Sequence, residues 1–277
     1  MHTYRNYHIV AVVVIASSAS WVHAQEPSPP ALIVRSGGDT IVRANAARPF
    51  VAALEVIAER YGWKVDYEDP VYSSEETKDA TIPEWRKQHP ESKGVLIPSG
   101  GEFVANLGRI SPTNPNERSV LERLIQVYNS GANPGYFRLV ETPSHRFCGR
   151  GSSRSSSSGK SIQIFDEMIQ AKPDQQPALD ALRELMLHCG ADGKIPIEPG
   201  IIPNNSLNQT TIKGNKGPFS CRERLGRILN AMSSNLIYDL FYDIGLKTYY
   251  LSIVPAHRVI IGPDGKEVRV PLEMLAR

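Results

Sequence analysis

Apolar residues along this chain recur at two spacings, and the spacing changes where glycine, proline or a polar cluster interrupts it. Phe50, Leu54, Ile57 and Ala58 share one face of a helical repeat, with Pro49 suited to its first turn and Gly62 to its end. A second helix is predicted after the capping residue Asn116, with Val120, Leu121, Leu124, Ile125 and Tyr128 as its face and Pro134-Gly135 as its stop. A third opens at Pro177, carries Leu179, Leu182, Leu185 and Met186, and closes at Cys189 and Gly190. The fourth starts with a capping box, Ser220 three residues before Glu223. Its face is Leu225, Ile228, Leu229 and Met232, and Arg222 and Arg227 are expected on its solvent side.

Between these helices the pattern shortens to alternation, rich in β-branched and aromatic residues. Strands are expected on either side of Gly37-Gly38, at 63–67, 94–97, 102–107, 136–140, 145–148, 162–169, 195–198 and 210–213. The clearest hairpin joins 236–243 to 246–254 around Gly245, which can supply a positive φ. Two stretches break the rhythm. Residues 68–93 are polar, contain Pro70, Pro83 and Pro90, and read as an insertion loop long enough to be a functional surface. Residues 149–161, serine- and glycine-rich, read as a linker.

The halves on either side of that linker repeat one order: strand, helix ending in Gly62 or Gly190, strand, loop, strand, helix, hairpin. At about 90 to 120 residues each, they suit a tandem duplication of single domains. The phrases PFVAALEVIAERYGWKVDYEDP, PALDALRELMLHCG and CRERLGRILNAMSSNLIYDLFY resemble the short N-terminal domain of secretins and TonB-dependent receptors. That resemblance implies an α+β fold with two related βαββαβ-type domains, each a small sheet with two helices on one face. The expected boundaries are 32–148 with the 68–93 insertion, and 162–256. A C-terminal hairpin or tail at 257–277 turns at Pro263-Asp264-Gly265. In such a unit the two helices run antiparallel, so Cys189 at the end of one lies near Cys221 at the start of the other. A Cys189–Cys221 disulfide is the first expectation, with no bridge or a pairing with Cys148 as alternatives. If Cys189 and Cys221 pair, Cys148 is left as a free, reagent-accessible thiol.

Composition narrows the setting. Of 277 residues 41% are hydrophobic, enough for one or two cores. Residues 1–24 combine Arg5, a short apolar run from Ile9 to Ala19 and a small-residue site ending at Ala24, which predicts a cleaved signal peptide. The run falls short of the ~20 residues that span a bilayer, so no membrane span is expected in the mature chain. A Pro-rich spacer, 25–31, follows. The formal charge is +2; removing Arg5 with the leader takes one from it and leaves +1. With charge so balanced and no basic stripe, nucleic acid is not an expected partner.

Residues able to carry chemistry are few. His188 beside Cys189 lacks the further ligands a metal site needs, and no metal or cofactor is expected. Asp239 and Asp243, taken to flank the hairpin turn, read as turn residues before they read as a catalytic carboxylate pair. Ser99 sits in Ser-Gly-Gly and not in a nucleophile elbow. Gly159-Lys160-Ser161 imitates a phosphate loop, but Arg154 stands where its first glycine is required. Asn204 and Asn208 lie in glycosylation sequons. No catalytic residue is therefore expected. The resemblance implies a periplasmic or secreted protein-interaction module with an envelope protein as partner. The alternatives are a small-ligand or glycan-binding protein using 68–93 and a secreted hydrolase without a recognisable motif.

Overall fold

The first half runs β1 (Ala31–Ser36), β2 (Asp39–Asn45), α1 (Pro49–Tyr61), β3 (Val65–Glu68), β4 (Thr77–Asp79), α2 (Pro83–Gln88), β5 (Leu96–Pro98), β6 (Glu102–Asn106), α3 (Glu117–Ser130), β7 (Tyr136–Glu141) and β8 (Phe147–Ser152). The second runs β9 (Met168–Gln170), β10 (Gln176–Pro177), α4 (Ala178–His188), β11 (Ile197–Pro199), α5 (Asn204–Gln209), β12 (Thr211–Ile212), β13 (Pro218–Ser220), α6 (Cys221–Met232), β14 (Leu236–Asp243) and β15 (Thr248–Pro255). A final hairpin pairs β16 (His257–Ile261) with β17 (Glu267–Pro271). The computed structural model describes residues 30–91, 94–111, 113–142, 147–152, 164–170, 175–190, 195–214, 217–233 and 235–272.

Helix ends follow the local chemistry. Pro49 occupies the first turn of α1, and Gly62 closes it in the left-handed region at φ 70°. The Asn116 side chain accepts a hydrogen bond from the Ser119 amide at 3.0 Å. At α6 the capping box is complete: Ser220 Oγ accepts from the Glu223 amide at 3.2 Å, and Glu223 Oε2 from the Ser220 amide at 2.9 Å.

The class is α+β, organised around one mixed six-stranded sheet in the order β11-β15-β14-β3-β8-β7. Separate small sheets with both helices on one face are not what the pairing produces. Strand β14 of the second half lies parallel to β3 of the first, with Asp239 opposite Tyr67 and Leu240 opposite Glu68. Because side chains alternate along a strand, β14 serves two cores at once. Leu236, Tyr238, Leu240 and Tyr242 face a core with α4 and α6, whereas Phe241 packs with α1 and α3. A three-stranded sheet, β1-β2-β6, covers the outer side of α1 and α3, so that Phe103 meets Tyr128 edge-on with ring centroids 5.2 Å apart.

Several expectations shift with this arrangement. The linker begins later than the serines suggest, because Gly149, Arg150 and Gly151 belong to β8 and are buried. A Cβ on Gly149 would lie 2.9 Å from Phe50, and one on Gly151 would lie 2.5 Å from the backbone nitrogen of Pro70, so both glycines permit close packing. Residues 153–163, including Gly159-Lys160-Ser161, lie outside the described residues. In place of a strand over 162–169, a single 3-10 turn at Ile164–Asp166 precedes the short β9. The β14–β15 turn takes its positive φ at Lys247, 53°, and not at Gly245. No helix among the described residues is long and apolar enough to cross a membrane.

Candidate functional site

The described part of the 68–93 segment, residues 68–91, does not form a free loop. Its first residues are buried, and they root an excursion that projects from the sheet. Asp69 accepts four hydrogen bonds: from Arg48 Nε at 2.7 Å, Tyr67 Oη at 2.5 Å, Tyr72 Oη at 2.7 Å and the Tyr242 amide at 3.0 Å. Glu76 accepts from the amide and hydroxyl of Ser73 and, across the fold, from the Gly135 amide at 2.8 Å. Beyond this root, β4 pairs with β5, and α2 lies in the chain between them. There four large apolar residues face solvent: Ile82 is 64% exposed, Trp85 40%, Val95 53% and Leu96 41%. A rigid base with an apolar tip suits presentation to a partner.

Beside this root lies a charged network sequence reading missed. Glu68 accepts from Arg222 Nε at 2.9 Å, Arg222 Nη2 at 2.8 Å and Tyr238 Oη at 2.7 Å. Asp166 joins Arg222 to Arg150, whose Nη2 lies 2.6 Å from it. Arg222 is thus buried against a strand of the other half and is no solvent-facing residue. Burial alone lowers its pKa, but the charge and hydrogen bonds of Glu68 outweigh this and raise it.

Cys189 and Cys221 form a disulfide with Cα atoms 6.0 Å apart, at the end of α4 and the start of α6. Cys148 is free but wholly buried beside Tyr238 Oη, 3.6 Å away, so the expected reagent-accessible thiol is closed off. Burial pushes that thiol well above its usual range.

A pocket of about 280 Å³ lies between α1, β14 and the C-terminal hairpin. Its lining runs from α1 through Val65 and Tyr67 of β3, Ile237 and Asp239 of β14 and Val254 of β15 to the hairpin, at His257 and Arg269. Ion pairs hold the hairpin there: Arg60 to Glu267 and Arg269 to Glu59, each at 2.5 Å. Three carboxyls, Glu55, Glu59 and Asp239, line this pocket with His257 and Arg269. Glu59 is paired, but Glu55 and Asp239 have no hydrogen-bond or ion-pair partner among the described residues. Asp239 is pushed up to about 7, first by burial and then by the charges of Glu55, Asp66 and Asp69. Glu55, at the mouth, is raised by burial and by Glu59, while Arg269 opposes. Burial and then Arg269 lower the pKa of His257.

Asp239 and Asp243 therefore part company. Both belong to β14, with Asp239 in mid-strand and Asp243 at its end, where it accepts from the Leu246 amide at 2.8 Å as a turn residue does. His188 holds to the Glu184 carbonyl at the exposed end of α4, and no cluster of three or more His, Cys, Asp or Glu among the described residues could hold a metal. Ser99 donates its amide to the Glu76 carbonyl at 2.7 Å. Asn204 and Asn208 are exposed on α5, within a stretch expected to be loop. Two signals for the pocket were present in the chain: a like-charged pair at Glu55 and Glu59 on one helix, and a lone charge inside the alternating strand LIYDLFYD. Comparison of the chain with protein families, with curated proteins and with solved structures finds no match.

Proposed function

We propose that this is an exported cell-envelope protein that works by contact with another protein, through the tip of the β4–β5 excursion, and not by catalysis. One observation carries the reading. Ile82, Trp85, Val95 and Leu96 are exposed together at the end of a short hairpin whose base is fixed by the hydrogen bonds of Asp69 and Glu76. Rooting matters because a preordered tip loses little conformational freedom on docking. Trp is also enriched among the residues that dominate binding energy. The occupant is a protein with an apolar groove wide enough for an indole and two or three aliphatic side chains.

Export rests on the leader pattern of residues 1–24 and is compatible with a Cys189–Cys221 bridge, since disulfides persist in oxidising compartments. The resemblance to the secretin and TonB short N-terminal domain supports the envelope setting.

Site-specific photo-crosslinking in the producing cell tests the reading. A photoreactive residue at position 85 should give one discrete protein adduct, lost when Ile82→Ser and Leu96→Ser are combined. The same probe in place of Leu187, exposed on α4, should give none. Identical adduct patterns at 85 and 187, or adducts at 85 with lipid alone, would overturn it.

A further inference from the structure

We propose that the pocket between α1, β14 and the C-terminal hairpin binds a compact organic cation, an alkylammonium or guanidinium head on a short hydrocarbon stem, with Glu55 and Asp239 as its anionic ligands. The walls fit the stem: Leu54, Trp63, Val65, Tyr67, Ile237 and Val254 line the interior. The charge fits the head. Three carboxyls face one guanidinium, and Arg269 is ion-paired with Glu59 and acts on Glu55 only through its charge, so Glu55 and Asp239 have no ion-pair partner among the described residues. A half-buried carboxyl in an apolar wall with no partner of opposite charge is costly for folding, and a cation relieves that cost when bound. At about 280 Å³ the space is at the small end of ligand pockets, which limits the stem to a few carbons.

The chemistry couples binding to a proton. Around Asp239 stand Glu55 and Glu59 from α1, Asp66 from β3, Asp69 beyond it, His257 from β16 and Arg269 from β17. Carboxylates outnumber cations among them, so the empty pocket retains a proton on Asp239 near neutral pH. An entering ammonium takes the proton's place, and the proton leaves to solvent with the carboxylate now ionised. Affinity therefore rises with pH. If only the ionised pocket binds, the competent fraction grows from about a tenth at pH ~6 to about nine-tenths at pH ~8, an increase of about tenfold in affinity.

Titration calorimetry on the purified protein tests this with n-pentylammonium and its neutral isostere 1-pentanol. The ammonium should bind about tenfold more tightly at the higher pH and release a proton, read from the buffer dependence of the heat. Asp239→Asn should weaken the ammonium at least tenfold at pH ~8, flatten its pH dependence and leave pentanol unchanged. Glu55→Gln, at the exposed mouth, keeps the fold. It should weaken the ammonium several-fold and move the pH dependence to lower pH, because one of the three charges that add to burial in raising Asp239 is gone. No ammonium binding to the wild-type protein, equal affinity for ammonium and pentanol, or full ammonium affinity in both variants would overturn the proposal.

Discussion

Arg222 shows how a charge can mislead the reading of a helical pattern. It stands three residues before Leu225 and seven before Leu229, on the same face of α6 as these buried leucines, yet its charge made solvent the expected side. The fold instead sets Glu68 against it, with two hydrogen bonds under 3 Å. Removing one member of a buried pair strands the other charge, so Arg222→Met should cost about 3 to 5 kcal/mol in urea denaturation, while Arg227→Ala, at an exposed position, should cost little. Replacing Glu68 and Arg222 together by apolar residues should recover much of that loss. Cys148 is a second case. A free thiol in a serine-rich neighbourhood reads as accessible, yet β8 carries it into the core beside Tyr238. A thiol reagent should modify Cys148 only as fast as the protein opens, and the rate should rise steeply with denaturant.

Elements with complete local signals form where the pattern places them. Helices α1, α3 and α6 have their start or stop residues in register, and β14–β15 is a hairpin whose eight pairs run from Leu236 with Pro255 to Asp243 with Thr248. Elements with weak signals moved. The last residues of β8 were hidden by Gly149 and Gly151, which contribute no strand propensity but are required where Phe50 and Pro70 approach. Joining α4 to α6, the Cys189–Cys221 bridge closes a separation of 32 residues. Its loss in a Cys189→Ala, Cys221→Ala variant should lower stability by about 3 to 4 kcal/mol in the chain-entropy estimate, measured against the oxidised protein by thermal or chemical denaturation.

For the whole molecule, the seam between the halves is the feature that counts. Helix α1 packs on β3 and β8, β14 from the second half widens the same sheet, and the C-terminal hairpin returns to α1 through Glu59 and Arg60. The pocket exists because these three parts do not quite close, and a pH-dependent stability follows. Asp239 rises from an ordinary carboxyl value to about 7 on folding, so between about pH 4 and 7 the folded protein holds a proton that the unfolded chain has lost. Stability should therefore fall as pH rises through that window, by at most about 4 kcal/mol from this group, and by less because the pocket still admits water. Glu117, raised to about 7 by burial against the opposing effect of Lys64, adds to the same slope. Asp239→Asn should reduce the slope and be more stable than the parent above about pH 7, as denaturation at a series of pH values would read. Periodicity and capping by themselves determined the long helices and the β14–β15 hairpin, because those signals act within a few residues of one another. Only the tertiary structure decided that β14 would pair with β3, that Glu68 and Arg222 would meet across 154 positions, and that Asp239 would line a pocket with no ion-pair partner among the described residues. Such contacts depend on which faces the two halves bury against each other, and no local pattern carries that information.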